Sequence, residues 1–439
     1  MTTDTDEAAT GRSAMFKAAW RILPLIALSY GIAYMDRVNI SFAAAKMNAD
    51  LHFSATIYGI GGGLFFLSYA LFEVPSSLAL IKVGARRWLA RIMITWGILA
   101  VAMMFVTVPW QFYTLRFLLG LAEAGFFPGV LIYLTPWFPN AYRARAVSRF
   151  YVAIPISQIL MGGLAGTLLG LHGTLSLKGW QWLFLLEGLP AVIMGVIVLF
   201  LLPDKPQDVA WLKDTEKDWI ARRMAADALA RGEESHNLLK AISNPTVLIL
   251  GLINFLFIGC NYALVLSAPQ VLAKAGHMDI THAGYVIAAS GVIGVFSMVL
   301  AGWSSDRTGE RFWHMGLALF AMGAGGFILA LIHLPVMAIG GYLLMMAGSF
   351  AAQGINPAIP GDILPARSAG ISFAAINTIS QCGSFVAPIL WGLSKDASGS
   401  YDLGLTLLPV GFITAGLLVL GMGRWRNRVR LAQAAAVAA

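Results

Sequence analysis

The sequence predicts an all-α membrane protein with twelve transmembrane helices, arranged as two pseudo-symmetric six-helix bundles. Of its 439 residues, 58% are hydrophobic and only 12% are charged, against about 25% charged residues in soluble domains. Twelve segments approach the roughly 20 apolar residues that a membrane-spanning helix needs. A polar stretch after the sixth segment divides them into two sets of six. These features favour a multi-pass membrane protein over a soluble one.

The predicted spans follow one another with short connections. They cover residues 20–43, 56–80, 88–108, 111–136, 146–171, 180–202, 245–270, 282–303, 312–332, 335–357, 369–394 and 404–424. Several contain Gly or Pro, which membrane helices tolerate when neighbouring groups satisfy the freed backbone. The spans define an N-terminal bundle over residues 20–202 and a C-terminal bundle over residues 245–425.

Three polar segments flank these bundles. Residues 1–19 predict a cytoplasmic tail, disordered over residues 1–15, with no apolar core and cleavage site of a signal peptide. Residues 203–244 predict a cytoplasmic linker, and the amphipathic spacing of residues 214–229 is typical of a helix lying on a membrane surface. A solvated tether explains that segment equally well. Residues 426–439 predict a second cytoplasmic tail.

The distribution of Lys and Arg predicts that both termini are cytoplasmic. With that orientation, the short inside loops and the C-terminal tail hold fourteen basic residues. They are Lys82, Arg86, Arg87, Arg91, Arg143, Arg145, Arg149, Arg307, Arg311, Arg367, Arg424, Arg426, Arg428 and Arg430. The outside loops hold only Lys46, Lys178, Lys274 and Lys395, as the positive-inside rule requires. The net charge of +8 therefore indicates membrane orientation, and a nucleic-acid partner is not expected.

A weak internal repeat supports the division into halves. Residues 83–87 (VGARR) follow the second span, and residues 302–311 (GWSSDRTGER) follow the eighth. Both are glycine turns flanked by arginines on the same side of the membrane. Two related six-helix halves are typical of transporters whose binding site lies between them near the middle of the bilayer.

Away from the loop-facing ends of the predicted spans, the charged residues all belong to the first half. They are Asp36, Arg37, Glu73, Arg116, Glu123 and Glu187. The second half offers neutral polar groups: Asn254, Asn261, Gln353, Asn356, Asn377, Ser380 and Gln381. Ionisable groups at membrane depth are costly and usually face a bundle interior or a water-filled cavity. The asymmetry predicts a cavity that presents arginine to an anion and amides to its polar body.

Arg116 and Glu123 project from one face of the fourth span, because they are seven residues or about two helical turns apart. They form either a structural ion pair or part of a substrate or proton path. Asp36 and Glu123 are the predicted proton-binding groups, since a carboxyl beside an arginine can alternate between ion pair and protonated acid. For Asp36 the alternative is a purely structural partner of an arginine.

Four further polar side chains are candidates for hydrogen bonds to a substrate, with bonding between helices as the alternative. They are Tyr34, Tyr69, Gln158 and Asn377. Glu73 precedes Pro75 near the cytoplasmic end of its span, which favours a role in helix packing. Glu187 follows two tryptophans typical of a membrane interface and is assigned a structural role.

The sequence lacks motifs that would indicate other classes of protein. There is no G-x-x-x-x-G-K-[ST] sequence for ATP-driven pumping and no H-E-x-x-H sequence. The histidines form no cluster, so neither a metal site nor a cofactor is expected. No nucleophile–base pair indicates an enzyme, and Cys260 and Cys382 lie in apolar segments that do not indicate a disulfide framework.

Four segments resemble the major facilitator superfamily and, within it, the anion:cation symporter family of bacterial sugar-acid, tartrate, phthalate and hexuronate carriers. They are residues 34–41 (YMDRVNIS), 72–76 (FEVPS), 84–88 (GARRW) and 116–128. The resemblance covers nearly the whole chain. It departs from the superfamily pattern after the second helix, where Lys82 is the nearest residue to an expected Asp, while Asp306 and Arg307 keep the pattern in the second half.

The resemblance implies roles for the candidate residues. Asp36 and Glu123 match the family's protonatable pair, and Arg37 and Arg116 match arginines near the substrate. Tyr69 matches a tyrosine of the cavity. Asn377 is similar to an amide of helix eleven that contacts polar substrates, and Gln158 is similar to a position in helix five.

The resulting hypothesis is a proton-coupled importer of a small organic anion in a bacterial cytoplasmic membrane, working as a monomer with the proton as coupling ion. The anion would be a carboxylate such as a sugar acid, a dicarboxylate or an aromatic acid. The alternatives are an anion exchanger or exporter and, more remotely, a non-transporting sensor. Phe65, Phe126 and Phe127 indicate either an apolar cavity wall or ordinary core packing.

Overall fold

The computed structural model describes residues 4–231, 243–364 and 369–438, and within those ranges the chain is helical without strands. The helices of the first half are α1 (Asp4–Leu51), α2 (Ala55–Val83), α3 (Ala85–Ala102), α4 (Pro109–Glu123), α5 (Phe126–Leu134), α6 (Asn140–Tyr151), α7 (Ala153–Gly170) and α8 (Gly179–Leu201). The linker contains α9 (Asp214–Arg231). The helices of the second half are α10 (Pro245–Val265), α11 (Ala268–Ala275), α12 (Ile280–Thr308), α13 (Phe312–Leu331), α14 (Pro335–Ile355), α15 (Ile359–Ile363), α16 (Ala369–Ser398) and α17 (Asp402–Ala438).

The described residues contain twelve helical segments that are long and apolar enough to cross a membrane, which confirms the predicted fold class. The fourth span consists of α4 and α5, and the fifth of α6 and α7. In the first bundle α3 packs on α8, α2 on α4, and α1 on both α7 and α8. In the second bundle α10 packs on α16, and α14 packs on both α12 and α13.

The two bundles meet through α2 with α16 and through α7 with α12. Small residues allow these helices to approach closely. A Cβ atom added at Gly162 would lie 2.5 Å from the carbonyl oxygen of Gly284, and one added at Gly291 would lie 2.8 Å from that of Pro155. These contacts lie in the half of the spans remote from the linker. We call the linker-bearing side of the molecule the linker face and the other side the far face.

The N-terminal segment differs from the predicted disordered tail, because α1 is helical from Asp4 onwards. The reason is burial against the linker helix α9, which leaves Ala14 and Met15 buried. Glu216 of α9 accepts hydrogen bonds from the Ser13 hydroxyl at 2.6 Å and from Lys17 Nζ at 2.9 Å. Burial raises the pKa of Glu216, but the bonds from Lys17 and Ser13 outweigh it and hold this pKa below its ordinary value.

The helix predicted within the linker is present as α9, and it is attached to the first bundle rather than forming a solvated tether. Trp219 is buried and its ring lies against Gly11 of α1. A location at the membrane surface stays a prediction. Linker residues 232–242, together with residues 1–3 and 439 of the two tails and Arg367, lie outside the described residues.

The missing Asp after the second span has a substitute from another part of the chain. Asp204, just after the sixth span, accepts a hydrogen bond from the Arg86 backbone N–H at 3.0 Å and lies 3.4 Å from Arg86 Nε. A carboxylate at this position is stabilised by the N-terminus of α3. The corresponding corner of the second half uses Asp362, which lies 3.5 Å from Arg311 and 3.6 Å from Arg426.

Candidate functional site

A cavity of about 150 Å³ lies between the two bundles, roughly halfway along the spans that form it. Both bundles contribute polar side chains to its wall. Those of the first bundle are Tyr30, Tyr34, Arg37, Tyr69, Glu73 and Tyr151. Those of the second bundle are Tyr262, Gln353, Asn356, Asn377, Ser380 and Gln381.

Arg37 is the cation in this wall, and it is paired with Glu123. Glu123 Oε1 accepts from Arg37 Nε at 2.7 Å and lies 2.5 Å from Arg37 Nη2. The Arg37 guanidinium also lies over the ring of Tyr69, 5.2 Å from its centroid. The Arg37 side chain is 13% exposed, whereas that of Glu123 is 1% exposed. Arg37 therefore lies at the surface of the cavity, and the Glu123 carboxylate lies behind it.

A break in the fourth span places Glu123 at the end of a helix. Glu123 is the last residue of α4, and Gly125 adopts the left-handed conformation with φ 83° before α5 begins. A side chain is strained at this φ, and a Cβ atom at Gly125 would lie 2.6 Å from the Cβ atom of Ser76. Glycine is thus required here on two independent grounds. Interrupted helices within a membrane are tolerated where they are buried in protein or line a cavity.

Arg116 lies behind the cavity wall and is 4% exposed. Its Nε donates to the Gly61 carbonyl oxygen at 3.3 Å, and its guanidinium lies 4.8 Å from the centroid of the Phe65 ring. The Arg37 guanidinium also lies near the Phe65 ring, 5.8 Å from its centroid. Glu123 is paired with Arg37 of α1 rather than with Arg116 of its own helix.

Asp36 points away from the cavity, although it precedes Arg37 in the chain. Consecutive helical residues differ in direction by about 100°, so Arg37 faces the cavity while Asp36 faces the interior of the first bundle. Asp36 is 3% exposed, and its Oδ1 accepts from Asn39 Nδ2 at 3.2 Å. Its Oδ2 has no hydrogen-bond partner in the described part of the chain.

A larger vestibule of about 860 Å³ joins the central cavity to the linker face. Tyr151, Gln353 and Pro357 line both spaces. Further out, the vestibule is lined by Arg143 and Asp306, which lie near the linker ends of α6 and α12. A solute in the central cavity therefore has a route to the linker face.

On the far face the bundles are joined. Asp396 of α16 accepts hydrogen bonds from the backbone N–H groups of Ala55 at 3.1 Å and Thr56 at 2.7 Å, at the start of α2. The Tyr58 hydroxyl donates to the Leu266 carbonyl oxygen at 2.9 Å, also across the two halves. The structure is therefore open towards the linker face and closed towards the far face.

Comparison with known proteins identifies this architecture. Residues 26–388 match the family model described as Major Facilitator Superfamily. The chain belongs to the Major Facilitator Superfamily. A protein named "Putative tartrate transporter" from Agrobacterium vitis is 43% identical over 413 residues, covering 92% of this chain and 88% of that protein. A protein named "Putative metabolite transport protein NicT" from Pseudomonas putida is 37% identical, covering 94% and 95% of the two chains.

A solved structure agrees in fold. A bacterial homologue of the human lysosomal transporter Spinster, in an inward-facing and occupied conformation, superposes with a TM-score of 0.73 at 17% identity, covering 92% of this chain and 96% of that one. Family and relatives together show that this Major Facilitator Superfamily member is a secondary transporter and not an enzyme. The resemblance to the superfamily predicted from the sequence is confirmed.

Several of the side chains predicted as substrate contacts line the central cavity. Tyr34, Tyr69 and Arg37 line it as first-bundle residues, and Asn377 lines it from the second bundle. Of the three phenylalanines considered for an apolar wall, Phe127 lines the cavity, while Phe65 and Phe126 are buried. Their roles in binding stay predictions.

Gln158 lies elsewhere. Its Nε2 donates to Ser290 Oγ at 3.0 Å, and the side chain is 4% exposed between α7 and α12. It is not part of the lining of the central cavity. In this conformation Gln158 joins the two bundles, which is the alternative role considered for a lone polar residue in a span.

Glu73 lines the cavity, although its position before Pro75 predicted a role in helix packing. Instead of packing helices near Pro75, its carboxylate lines the cavity and accepts from Asn377 Nδ2 at 2.9 and 2.7 Å, so it connects the bundles. The available signal was its spacing, because Glu73 follows Tyr69 by four residues and therefore lies on the same face of α2.

Proposed function

We propose that the protein is a proton-coupled symporter that carries a small carboxylate anion through the central cavity by alternating access. The observation that supports this proposal best is the Arg37–Glu123 pair, with the arginine at the cavity wall and the carboxylate behind it. The guanidinium fork matches a carboxylate in geometry and charge. A substrate anion can therefore compete with Glu123 for Arg37.

Competition for Arg37 couples the anion to a proton. When the substrate takes the guanidinium, Glu123 becomes a buried carboxylate without its cation, which costs several kcal/mol. Protonating Glu123 removes that cost, so anion and proton bind together. When the anion leaves, the ion pair re-forms and the proton is released. Asp36, which is buried in the same helix as Arg37, is proposed as the second proton-binding group.

The remaining lining suits a small hydroxylated or aromatic acid. Tyrosine hydroxyls and amides offer donors and acceptors, while 150 Å³ is smaller than the roughly 300 Å³ or more of pockets for drug-sized ligands. The name of the tartrate relative supports this substrate class. We further propose a monomer in a bacterial cytoplasmic membrane with the linker face inside, which the Lys and Arg distribution supports.

Uptake by purified protein in liposomes tests the proposal. With an inward pH gradient, we expect accumulation of one of a panel of radiolabelled acids comprising tartrate, sugar acids and aromatic acids. Glu123→Gln and Asp36→Asn should abolish accumulation but retain part of the exchange between internal and external substrate. Asp208→Asn, an exposed acid in the linker, is the matched control and should accumulate substrate normally. Undiminished accumulation by both carboxyl variants, or exchange without any effect of the gradient on wild type, would overturn proton symport.

A further inference from the structure

Glu73 is an acid in the wall of the central cavity, and the proposed competition for Arg37 does not involve it. It is half-buried in α2, and its two carboxylate oxygens accept from Asn377 Nδ2 of α16 at 2.9 and 2.7 Å. Such an arrangement suits the ionised carboxylate, whose oxygens only accept hydrogen bonds. Asn377 thus fixes from the second bundle a negative charge that the first bundle presents to the cavity.

Arg37 and Glu73 give the cavity one site of each charge. Among the described residues that line it, Arg37 is the only cation and Glu73 is the only acid. Tyr69 relates their positions, since the Arg37 guanidinium lies 5.2 Å from the centroid of the Tyr69 ring, and Glu73 follows Tyr69 by about one turn of α2, or about 6 Å. The cavity is only about 150 Å³ in volume, so one small molecule within it can contact both charges.

Other charged side chains lie too far away to neutralise Glu73. Arg116 is bonded to a backbone carbonyl oxygen that lies twelve residues before Glu73 in α2, about 18 Å along the helix axis. Lys82 follows Glu73 by nine residues, about 14 Å towards the linker face. Lys395 of α16 is about 27 Å along that helix from Asn377. The side chains that the second bundle contributes to the cavity wall are neutral.

The two charges place different demands on the two ends of a substrate. When a substrate carboxylate binds Arg37, the opposite end of a small molecule lies at Glu73. A carboxylate can accept about four hydrogen bonds, and Asn377 donates two of them, so a substrate hydroxyl group can donate to Glu73 as well. A second substrate carboxylate has no proton to donate and adds a like charge, which is a repulsive contact. The cavity wall therefore distinguishes a terminal CH₂OH group from a terminal carboxylate.

We propose that Glu73 determines substrate specificity by favouring hydroxylated monocarboxylates over dicarboxylates of the same size. This role rests on the proposed carboxylate transport and narrows the class of substrate. Arg37 binds the carboxylate, Glu73 accepts from a hydroxyl group at the opposite end, and Asn377 holds Glu73 in place. Repulsion between like charges at this range inside a protein weakens binding of the dicarboxylate on the order of tenfold to hundredfold.

The test compares acids in pairs that differ only in a terminal CH₂OH group or carboxylate. The pairs are threonate with tartrate, gluconate with glucarate, and 3-(hydroxymethyl)benzoate with isophthalate. Titration calorimetry of the detergent-purified protein at about pH 7.5, where carboxyl groups in solution are ionised, gives the Kd of each acid. In the pair that it recognises, wild type should bind the monocarboxylate at least about tenfold more tightly. Glu73→Gln keeps the size of the side chain and removes its charge, so the ratio of the two Kd values should fall to about one.

Matched variants separate the charge of Glu73 from its contact between the bundles. Glu73→Asp keeps the charge and should retain the preference for the monocarboxylate. Asp208→Asn removes an exposed linker acid and should give the wild-type ratio. A purely structural contact would change the affinity for both acids of a pair by the same factor, so an unchanged ratio in Glu73→Gln would overturn the proposed role. Tighter binding of the dicarboxylate by wild type would overturn it without any variant.

The outcomes also separate the role of Glu73 from the proposed symport. If Glu73→Gln keeps the wild-type ratio, while wild type accumulates an acid under the pH gradient and Glu123→Gln does not, only the role of Glu73 is overturned. If none of the paired acids binds to wild type, the proposed carboxylate transport fails, and the specificity assigned to Glu73 fails with it.

Discussion

Replacing Glu123 by glutamine should remove the part of the pH dependence of anion binding that comes from this carboxyl group. In the structure, Glu123 holds Arg37 through contacts of 2.5 and 2.7 Å, which a substrate carboxylate has to displace. A hydrogen bond to a charged group contributes about 1.5–3 kcal/mol, so releasing Arg37 from one such bond corresponds to roughly a tenfold to hundredfold gain in affinity. The variant should therefore bind its substrate more tightly than wild type at alkaline pH.

The decisive measurement is how the affinity for the anion changes with pH. If one proton enters with each anion, linkage predicts that wild-type affinity rises about tenfold for each unit fall in pH over the range where Glu123 exchanges its proton. Titration calorimetry of detergent-purified protein with the transported acid, at several pH values, measures both slopes. Asp208→Asn should follow wild type. A Glu123→Gln protein with the wild-type slope, or one that has lost binding at every pH, would refute the competition for Arg37.

Three other changes probe the scaffold. Asp396→Asn weakens the carboxylate cap that joins the far ends of the bundles, an interaction of about 0.3–2 kcal/mol; spin-label distances across the far face should broaden towards an open state, and unchanged distances would contradict its role as a latch. Glu216→Gln should loosen α9, detected as faster hydrogen exchange. Because the pKa of Glu216 is held below its ordinary value, wild-type docking should be complete at neutral pH and lost as pH falls through that lowered pKa, whereas pH-independent exchange would argue against it. Gly125→Ala should lower the free energy of unfolding by about 1–3 kcal/mol, because alanine is strained at this φ and its Cβ atom would clash with Ser76. Gly163→Ala is the control and should change this free energy little, since its Cβ atom would meet no atom within 4 Å. Equal melting temperatures of the two variants would show that the break at Gly125 is not strained.

The fold follows from information that is local in sequence. Length and hydropathy determine the spans, and the polar linker separates the bundles. Spacing on one helix also suffices to place Tyr34 and Arg37 near each other. The same rule would have placed Glu73 beside Tyr69 at the cavity, had the proline after it not suggested a packing role.

What could not be predicted depends on which helices meet. Gln158 finds Ser290 because α7 lies against α12, and no property of residue 158 indicates that partner. The break after Glu123 was equally hidden, since the chain has 46 glycines and membrane helices contain many that remain helical. The left-handed φ of Gly125 and the nearby Ser76 of α2 distinguish it from glycines that remain helical, and both are properties of the folded chain.

The asymmetry of the cavity also bears on how such a protein can change during evolution. Every buried carboxyl group proposed to handle protons belongs to the first bundle, while the second bundle contributes neutral amides and hydroxyls to the wall. Substitutions at Asn356, Gln381 or Ser380 can therefore alter the shape offered to a substrate without replacing any residue of the Arg37–Glu123 ion pair or the buried Asp36. Mutations confined to the second bundle would then produce carriers for new nutrients that are still driven by the proposed proton coupling. A library confined to these second-bundle positions is accordingly the economical starting point for redesigning what this carrier transports.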